Sequence, residues 1–483
     1  MRRTIALQQI SGLLSWDQET HMPPRGASAR AEQAAAIEAV AHAHRADPRI
    51  AEWADAIERD TLSPAERVSL DEALRIHRRA VRIPARLASA LARTTTEAHE
   101  VWAAAREKAR FDDFAPTLAE IVALKREEAA CLAEPGQGLY DALLDDYEPG
   151  MTVEKAERLF GALRPALADL AARIAATGVE VALPGTRHAE DRQLALAREL
   201  ATVFGYDWQA GRLDLAVHPF SSGTLGDVRI TTRIDPENPF ENIYAAIHET
   251  GHAVYEQGMP EELAFTPAGA EASMGVHESQ SRLFENQIGR SRAFCDWLFG
   301  AMERVLGPTG FDGPEALWRA ANRVRPGLRR TEADEVHYNL HILMRFDLER
   351  ELIAGDLAVG DLEAAWNDRF AADFGVAVPD AAQGVLQDIH WSAGLFGYFP
   401  TYSFGNIYAA ELFAAMRADL PGLDAAISQG DIAPAIGWLR EKIHRHGRLH
   451  APDALIEMAV GHAPGTGPLI AYLEAKFAEL YRL

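Results

Sequence analysis

The chain has 483 residues, 48% of them hydrophobic and 25% charged, the balance of a globular protein with a large buried core. Its 48 basic residues against 71 acidic ones give a net charge of −23, the wrong sign for a phosphate-binding surface, which excludes an ordinary nucleic-acid protein. The two cysteines, Cys131 and Cys295, are too few and too far apart for a disulfide framework or a zinc ribbon, and fit a reducing cytoplasm.

The first stretch, "MRRTIALQQISGLLSWDQE", makes a poor signal peptide because Gln8, Gln9 and Ser11 interrupt its apolar residues. No apolar run anywhere reaches the roughly 18 residues of a membrane span. Up to about residue 135 the Ala, Leu, Glu and Arg-rich segments predict successive amphipathic helices, broken near Pro23-Pro24, Asp47-Pro48 and Glu134-Pro135-Gly136. A second helical set is expected over about 152–205. The periodicity then changes. "RLDLAVHPF" (212–220) and "DVRITTRID" (227–235) are short, β-branched and partly alternating, and the "SSGTLG" between them predicts a two-stranded antiparallel ribbon. Such a ribbon is either a plain structural hairpin or a strand that holds a peptide in extended form.

The helix that follows carries the chemistry. Asn238 suits an N-cap, Pro239 fits N1, and Glu241 at N3 can complete a capping box, so the helix starts near 239. Gly258, as a left-handed C-cap, and Pro260 end it. Inside lies "HETGH", with His248 and His252 four residues apart. They are offset by about 40° and about 6 Å of rise, so both imidazoles reach one point. Glu249, about 100° round the helix, is placed for a base beside a metal-bound water and poorly placed for a ligand. The bland alternative is an amphipathic helix with two histidines. Gly251 costs about 1 kcal/mol relative to alanine there, which suggests close packing against its backbone.

A catalytic zinc takes three protein ligands, and Glu278, 30 positions after His248 in "GVHESQSRLFENQ" (275–287), could be returned to the metal by a later helix. From 261 onward the chain is again predicted to be helical, interrupted by a loop-rich stretch, "GLFGYFPTYSFGN" (394–406). The fold class expected is mainly α. One domain should cover 1–483, with a helical lobe over about 1–205 and a lobe of ribbon, metal site and C-terminal helices over about 206–483.

With these segments the chain resembles the carboxypeptidase Taq family of zinc-dependent metallocarboxypeptidases. The resemblance runs over nearly the whole chain, through "LLSWDQETHMPP" (13–24), "YDALLDDYEPGMT" (140–152), "HPF" (218–220), "DVRIT" (227–231), "HETGH", "HESQ" (277–280), "RRTEAD" (329–334) and "GVLQDIHW" (384–391). Two departures stand out: the family usually has a further helical segment before "LLSWDQ", and Arg329 occupies a position where isoleucine or asparagine is usual. The resemblance implies a helical body with a deep central groove and a homodimer. It implies zinc, for which cobalt can substitute, held by His248, His252 and Glu278, with Glu249 as general base and acid. Thermolysin-like enzymes place an acid four residues after the ligand glutamate. Here that residue is Arg282, which leaves Glu285 and Asp334 as candidates to orient the imidazoles.

For the oxyanion, the segment from Gln387 to Tyr402 offers His390, Tyr398 and Tyr402. Similarity to angiotensin-converting-enzyme-like sites favours a histidine and a tyrosine, with the choice of tyrosine open. An enzyme that removes C-terminal residues must recognise a free carboxylate, for which Arg330 and Arg229 are the candidates. Their bland readings are an Arg330–Asp334 pair on a solvated helix face and a surface arginine on a strand. Gln387, Tyr398 and His218 are further substrate-side candidates, and His277 could support a ligand. The expected activity is therefore cleavage of peptides with a free C-terminus. The rivals are a zinc oligopeptidase or dipeptidyl carboxypeptidase and, from another class, a catalytically silent helical scaffold.

Overall fold

The computed structural model describes residues 1–483 as helices joined by short turns, with one small sheet. Helices Arg2–Thr20, Ala27–Arg45, Arg49–Asp55, Pro64–Arg82, Ala85–Glu107 and Ala115–Leu132 fill the first stretch, broken at the expected prolines. Val153–Ala176 and Glu190–Val203 form the second set. No helix is long and apolar enough to cross a membrane.

The chain divides into two compact units and passes between them repeatedly. One collects residues 1–80, 181–321 and 408–464, and the other 81–180, 322–407 and 465–483. The division expected near 205 falls inside the first unit, because helix Glu190–Val203 packs on helix Pro239–Gln257 of that same unit.

In the first unit the sheet has three strands rather than two: β1 (Leu213–Leu215), β2 (Ser221–Thr224) and β3 (Asp227–Thr232), in the order β1-β3-β2. The antiparallel hairpin is β2–β3, with Ser222 opposite Arg229 and Thr224 opposite Asp227, while β1 lies parallel to β3 with Leu213 opposite Ile230. The segment expected to be the turn, "SSGT", is itself the strand, and Leu225-Gly226 alone makes the turn. Gly223 permits this pairing: at φ +121° a Cβ there would sit 2.0 Å from the Asp227 carbonyl oxygen. Leu213, Val228 and Ile230 of the sheet bury against Ala197 and Ala201 of helix Glu190–Val203 and Ala246 and Ala253 of helix Pro239–Gln257. Helix Arg2–Thr20 packs on β2, where Ser222 Oγ lies 3.4 Å from the Gly12 carbonyl oxygen. These contacts favour the structural reading of the ribbon.

In the second unit, helix Glu335–Ala354 has no polar face: 15 of its 20 residues are buried, which makes it the interior helix of that unit. Asp334 caps it, with Oδ1 accepting from the Val336 and His337 amides at 2.9 and 3.0 Å. Two of the buried residues are charged, Arg345 and Glu349, one turn apart. Glu349 accepts from Tyr140 Oη at 2.7 Å, Trp391 Nε1 at 2.9 Å and the Gly397 amide at 3.0 Å, and so ties three distant segments to one point. Burial raises its carboxyl to about 7 against the pull of those donors. The loop expected over 394–406 stops at 398: helix Phe399–Asp419 begins there, with Pro400 in its first turn, and carries Tyr402.

Glu349→Ala should lower stability by about 3–5 kcal/mol, because three buried donors lose their acceptor at once, and Glu349→Gln should cost less. Urea midpoints of the two variants test this; a loss below about 1 kcal/mol for the alanine variant would contradict it.

Candidate active site

Helix Pro239–Gln257 begins where expected, with Asn238 at the N-cap and Pro239 at N1. The capping box does not form. The Asn238 side chain accepts no backbone amide and instead reaches Glu241 Oε1 at 3.4 Å, while Glu241 also pairs with Arg233. Gly258 ends the helix in a right-handed conformation, not the expected left-handed one, and His444 packs where a side chain would stand.

The neighbouring helix, Met274–Arg282, is capped by Ser273, whose Oγ accepts from the Val276 amide at 3.0 Å. The two helices meet backbone to backbone at Gly251. A Cβ there would lie 2.6 Å from Ser281 Cα and 2.7 Å from the Gln280 carbonyl oxygen. This close approach turns Glu278 onto the histidines: Glu278 Oε2 is 3.3 Å from His252 Nε2 and 3.6 Å from His248 Nε2. The three ligand atoms all lie within 4.8 Å of one another. Two imidazole nitrogens and one carboxylate oxygen in this arrangement suit a divalent cation of the zinc type.

The chain then makes a π-helical turn over Leu283–Gly289, which brings Glu285 behind His248. Glu285 Oε2 is 2.9 Å from His248 Nδ1, so Glu285 is the orienting carboxylate. Asp334, the other candidate, is spent on its helix cap and on His337 Nδ1 at 2.8 Å. Arg282 braces the group by donating from Nε to Glu278 Oε1 at 2.7 Å and from Nη1 to Glu285 Oε2 at 3.1 Å. The outer oxygen of Glu278 is thereby occupied while Oε2 faces the imidazoles. His277 holds Glu256 Oε1 at 3.1 Å and stacks on the His252 ring at 4.5 Å.

The electrostatics separate two neighbouring acids. Burial would raise the Glu278 carboxyl, but Arg282 and the histidines outweigh it and hold it well below the usual carboxylate range. Glu249, also buried, is lifted by that burial to about 7, with Glu278 and Glu285 adding to the rise. His252 is pushed down to about 3 by burial and then by His277, so it presents a neutral imidazole.

Nearby in the same unit, two more of the quoted blocks lock together. Thr231 Oγ1 accepts from the Phe220 amide at 2.8 Å, joining "DVRIT" to "HPF". Arg229 closes on Asp227 at 2.8 and 2.9 Å and lies over the Trp16 ring at 4.1 Å, joining "DVRIT" to "LLSWDQ". His218 is exposed in the link between β1 and β2.

The second unit gathers the remaining candidates. His390 is buried, with Nε2 3.1 Å from Tyr402 Oη, its ring stacked on Phe399 at 4.3 Å and tilted against Tyr398 at 5.6 Å. Burial pushes it down to about 3. Arg330 is not on a solvated face paired with Asp334. It is buried, donates to Asp388 Oδ1 from Nε and Nη2 at 3.1 and 3.0 Å and to Tyr338 Oη at 3.2 Å, and lies over Tyr402 at 4.7 Å. Gln387 works inward: its Oε1 accepts from the Arg330 amide at 3.0 Å and its Nε2 donates to Leu328 O at 3.1 Å. Asp388, Arg345 and Tyr338 were not among the residues singled out from sequence. Asp388 lay inside "GVLQDIHW", and Arg345 was legible as a lone charge within "LHILMRF".

A His-His-Glu set on paired helices, with a buried glutamate next to the first histidine, defines a metallopeptidase centre in a mainly helical chain. The model of the carboxypeptidase Taq (M32) metallopeptidase family matches residues 1–477. Thermostable carboxypeptidase 1 of Thermus thermophilus is 42% identical, over 99% of this chain and 97% of that protein. Carboxypeptidase 1 of Bacillus subtilis is 34% identical, over 100% and 97%. The crystal structure of the M32 carboxypeptidase from Deinococcus radiodurans R1 covers 100% of this chain and 98% of its own, at 38% identity and a TM-score of 0.96. The chain belongs to the carboxypeptidase Taq family and is a metallocarboxypeptidase, a peptide hydrolase. The family implies a divalent metal, and the oligopeptidase and silent-scaffold alternatives are not favoured.

Gly251→Ala gains about 1 kcal/mol of helix propensity but forces a methyl group into the Ser281 backbone, and overpacking of that kind costs about 1–3 kcal/mol. The helices should move apart, with metal affinity falling about tenfold and the melting temperature falling by about 1–2 °C. Competition with a chromogenic chelator and thermal unfolding test this; a variant that melts higher and binds metal as before would show that the contact does not set Glu278.

Proposed function

We propose that the protein is a zinc metallocarboxypeptidase that removes residues from the free C-termini of peptides, the whole chain acting as one catalytic domain. The observation that supports it most is the convergence of His248, His252 and Glu278 from two helices, with Glu249 beside them. These three residues would hold the zinc, for which cobalt could substitute. When bound, the cation supplies a Lewis acid that acidifies water and polarises the scissile carbonyl.

Glu249 takes the proton of the attacking water on a carboxylate oxygen and delivers it to the departing amine. Glu285 keeps His248 in the tautomer that presents Nε2. His390 and Tyr402 serve the developing oxyanion, a pairing supported by their 3.1 Å contact, which favours Tyr402 over Tyr398 for that role. Arg330 receives the C-terminal carboxylate. Arg229 is the weaker candidate because Asp227 already occupies its fork in a neutral pair. Gln387 holds the backbone of Arg330, and Tyr398 and His218 remain candidates for contact with substrate. We further propose a homodimer working in the cytoplasm.

Glu249→Gln should retain its metal by elemental analysis while kcat falls by roughly 10²–10⁴-fold; turnover near wild type would remove Glu249 from the mechanism. Paired peptides separate a carboxypeptidase from an internal cutter. The peptide with a free C-terminus should lose residues one at a time by mass spectrometry and its amidated twin should react at least ~10-fold more slowly, whereas equal cleavage would point to an oligopeptidase.

A further inference from the structure

Asp388 is shared by two guanidinium groups, one on each oxygen. Its Oδ1 receives Arg330 from Nε and Nη2 at 3.1 and 3.0 Å. Its Oδ2 receives Arg345 from Nε at 2.8 Å, with Arg345 Nη2 2.6 Å away. Arg345 is fully buried. Its Nη1 donates to the His341 carbonyl oxygen at 2.8 Å, and its guanidinium lies 4.5 Å from the Trp366 ring centre. It has no exposed surface with which to touch a substrate.

The charges in this cluster do not cancel. Two arginines and one aspartate leave a net charge of +1, and the neighbouring histidines add nothing because burial keeps His341 and His390 neutral. An Arg330–Asp388 pair alone would be neutral and would offer an arriving carboxylate little more than a dipole. With Arg345 drawing on the same aspartate, part of the charge of Arg330 stays uncompensated in a low-dielectric setting, where a bound anion completes the balance. Tethering both oxygens of Asp388 also fixes the plane of the Arg330 guanidinium over Tyr402.

We infer that Arg345 is a positioning residue for carboxylate recognition: by closing on Asp388 from behind, it leaves Arg330 oriented and positively charged toward the C-terminus of the substrate. This rests on the assignment of Arg330 made above. It differs from a purely structural ion pair in one respect, since it ties Arg345 to the distinction between a free and an amidated C-terminus.

The test uses the full-length, metal-loaded enzyme and a peptide pair identical except for a free or amidated C-terminus. R345Q, R345K, R330Q and the double variant R345Q/D388N are compared with wild type, and calorimetry follows binding of an N-acetylated amino acid and its amide. R345Q should raise KM for the free peptide about tenfold or more with kcat changed less than about threefold, and should lower the free-to-amide ratio of kcat/KM about tenfold. Its affinity for the N-acetylated amino acid should fall in parallel. R345K should keep most of the ratio. The double variant, in which Arg330 is again a lone cation, should recover part of what R345Q loses. Equal losses on both peptides, a fall in kcat at constant KM, or a double variant worse than R345Q would each overturn the inference. If R345Q does not fold, the ratio measured for R345K and the double variant decides in the same way. A ratio lost in R330Q but kept in R345Q sinks the role of Arg345 alone, whereas a ratio kept in R330Q sinks the assignment of Arg330 itself.

Discussion

Two histidines on one helix can offer a metal only two ligands, and a glutamate side chain is too short to supply the third unless its own helix passes at backbone distance. The whole metal centre therefore depends on a contact that involves no side chain on one side, Gly251 against the backbone of Gln280 and Ser281. Any larger residue would clash with that backbone and push the helix that carries Glu278 outward. Once the helices are that close, the π-helical turn after Arg282 returns Glu285 to the back of His248, and one short segment supplies the candidate ligand Glu278, a brace and an orienting acid.

Buried carboxylates do the fixing in both units. Glu285 joins His248, Arg282 and Arg290, Asp388 joins Arg330 and Arg345, and Glu349 joins Tyr140, Trp391 and Gly397. The ion pairs among these, those of Glu285 and Asp388, contribute little net stability, since the cost of removing charge from water nearly offsets their attraction. Their effect is geometric. Each acid is satisfied in only one arrangement of its partners, so a displaced segment leaves a buried charge unmatched, and the functional side chains inherit that rigidity.

What could be read before any coordinates were known followed from local rules. The His248–His252 spacing, the start at Pro239, the close approach at Gly251 and the helical breaks at the prolines are set by neighbours a few residues away, and all reappear in the fold. Glu278 could be singled out because its block is distinctive. The errors are equally physical. β1 pairs with β3 across the hairpin, a non-local choice that periodicity does not encode, and a strand built from Ser-Ser-Gly-Thr resembles a turn in composition. The helix at Phe399 was hidden by the aromatic, glycine and proline content of its first turns. Arg330, whose bland reading was a solvated partner of Asp334, is tied instead to an aspartate 58 positions away, a partnership that only tertiary structure creates. Arg345 and Glu349 were missed because a charge within a helix of mixed composition has meaning only once its partner is known.

The same electrostatic reasoning favours Arg330 over Arg229 in the carboxylate recognition proposed above. Arg229 and the half-exposed Asp227 form a closed neutral pair at the rim of a sheet, so an incoming carboxylate would have to displace Asp227 and compete with water. Arg330 lies in a buried cluster with an excess positive charge, where a unit charge at about 4 Å is worth roughly 4 kcal/mol at an effective dielectric constant near 20, against about 1 kcal/mol in water. An amide at the same position carries no charge and forgoes that term. Discrimination of several orders of magnitude between an acid and its amide thus needs no additional contact, only a cation kept from full neutralisation by the way its aspartate is shared.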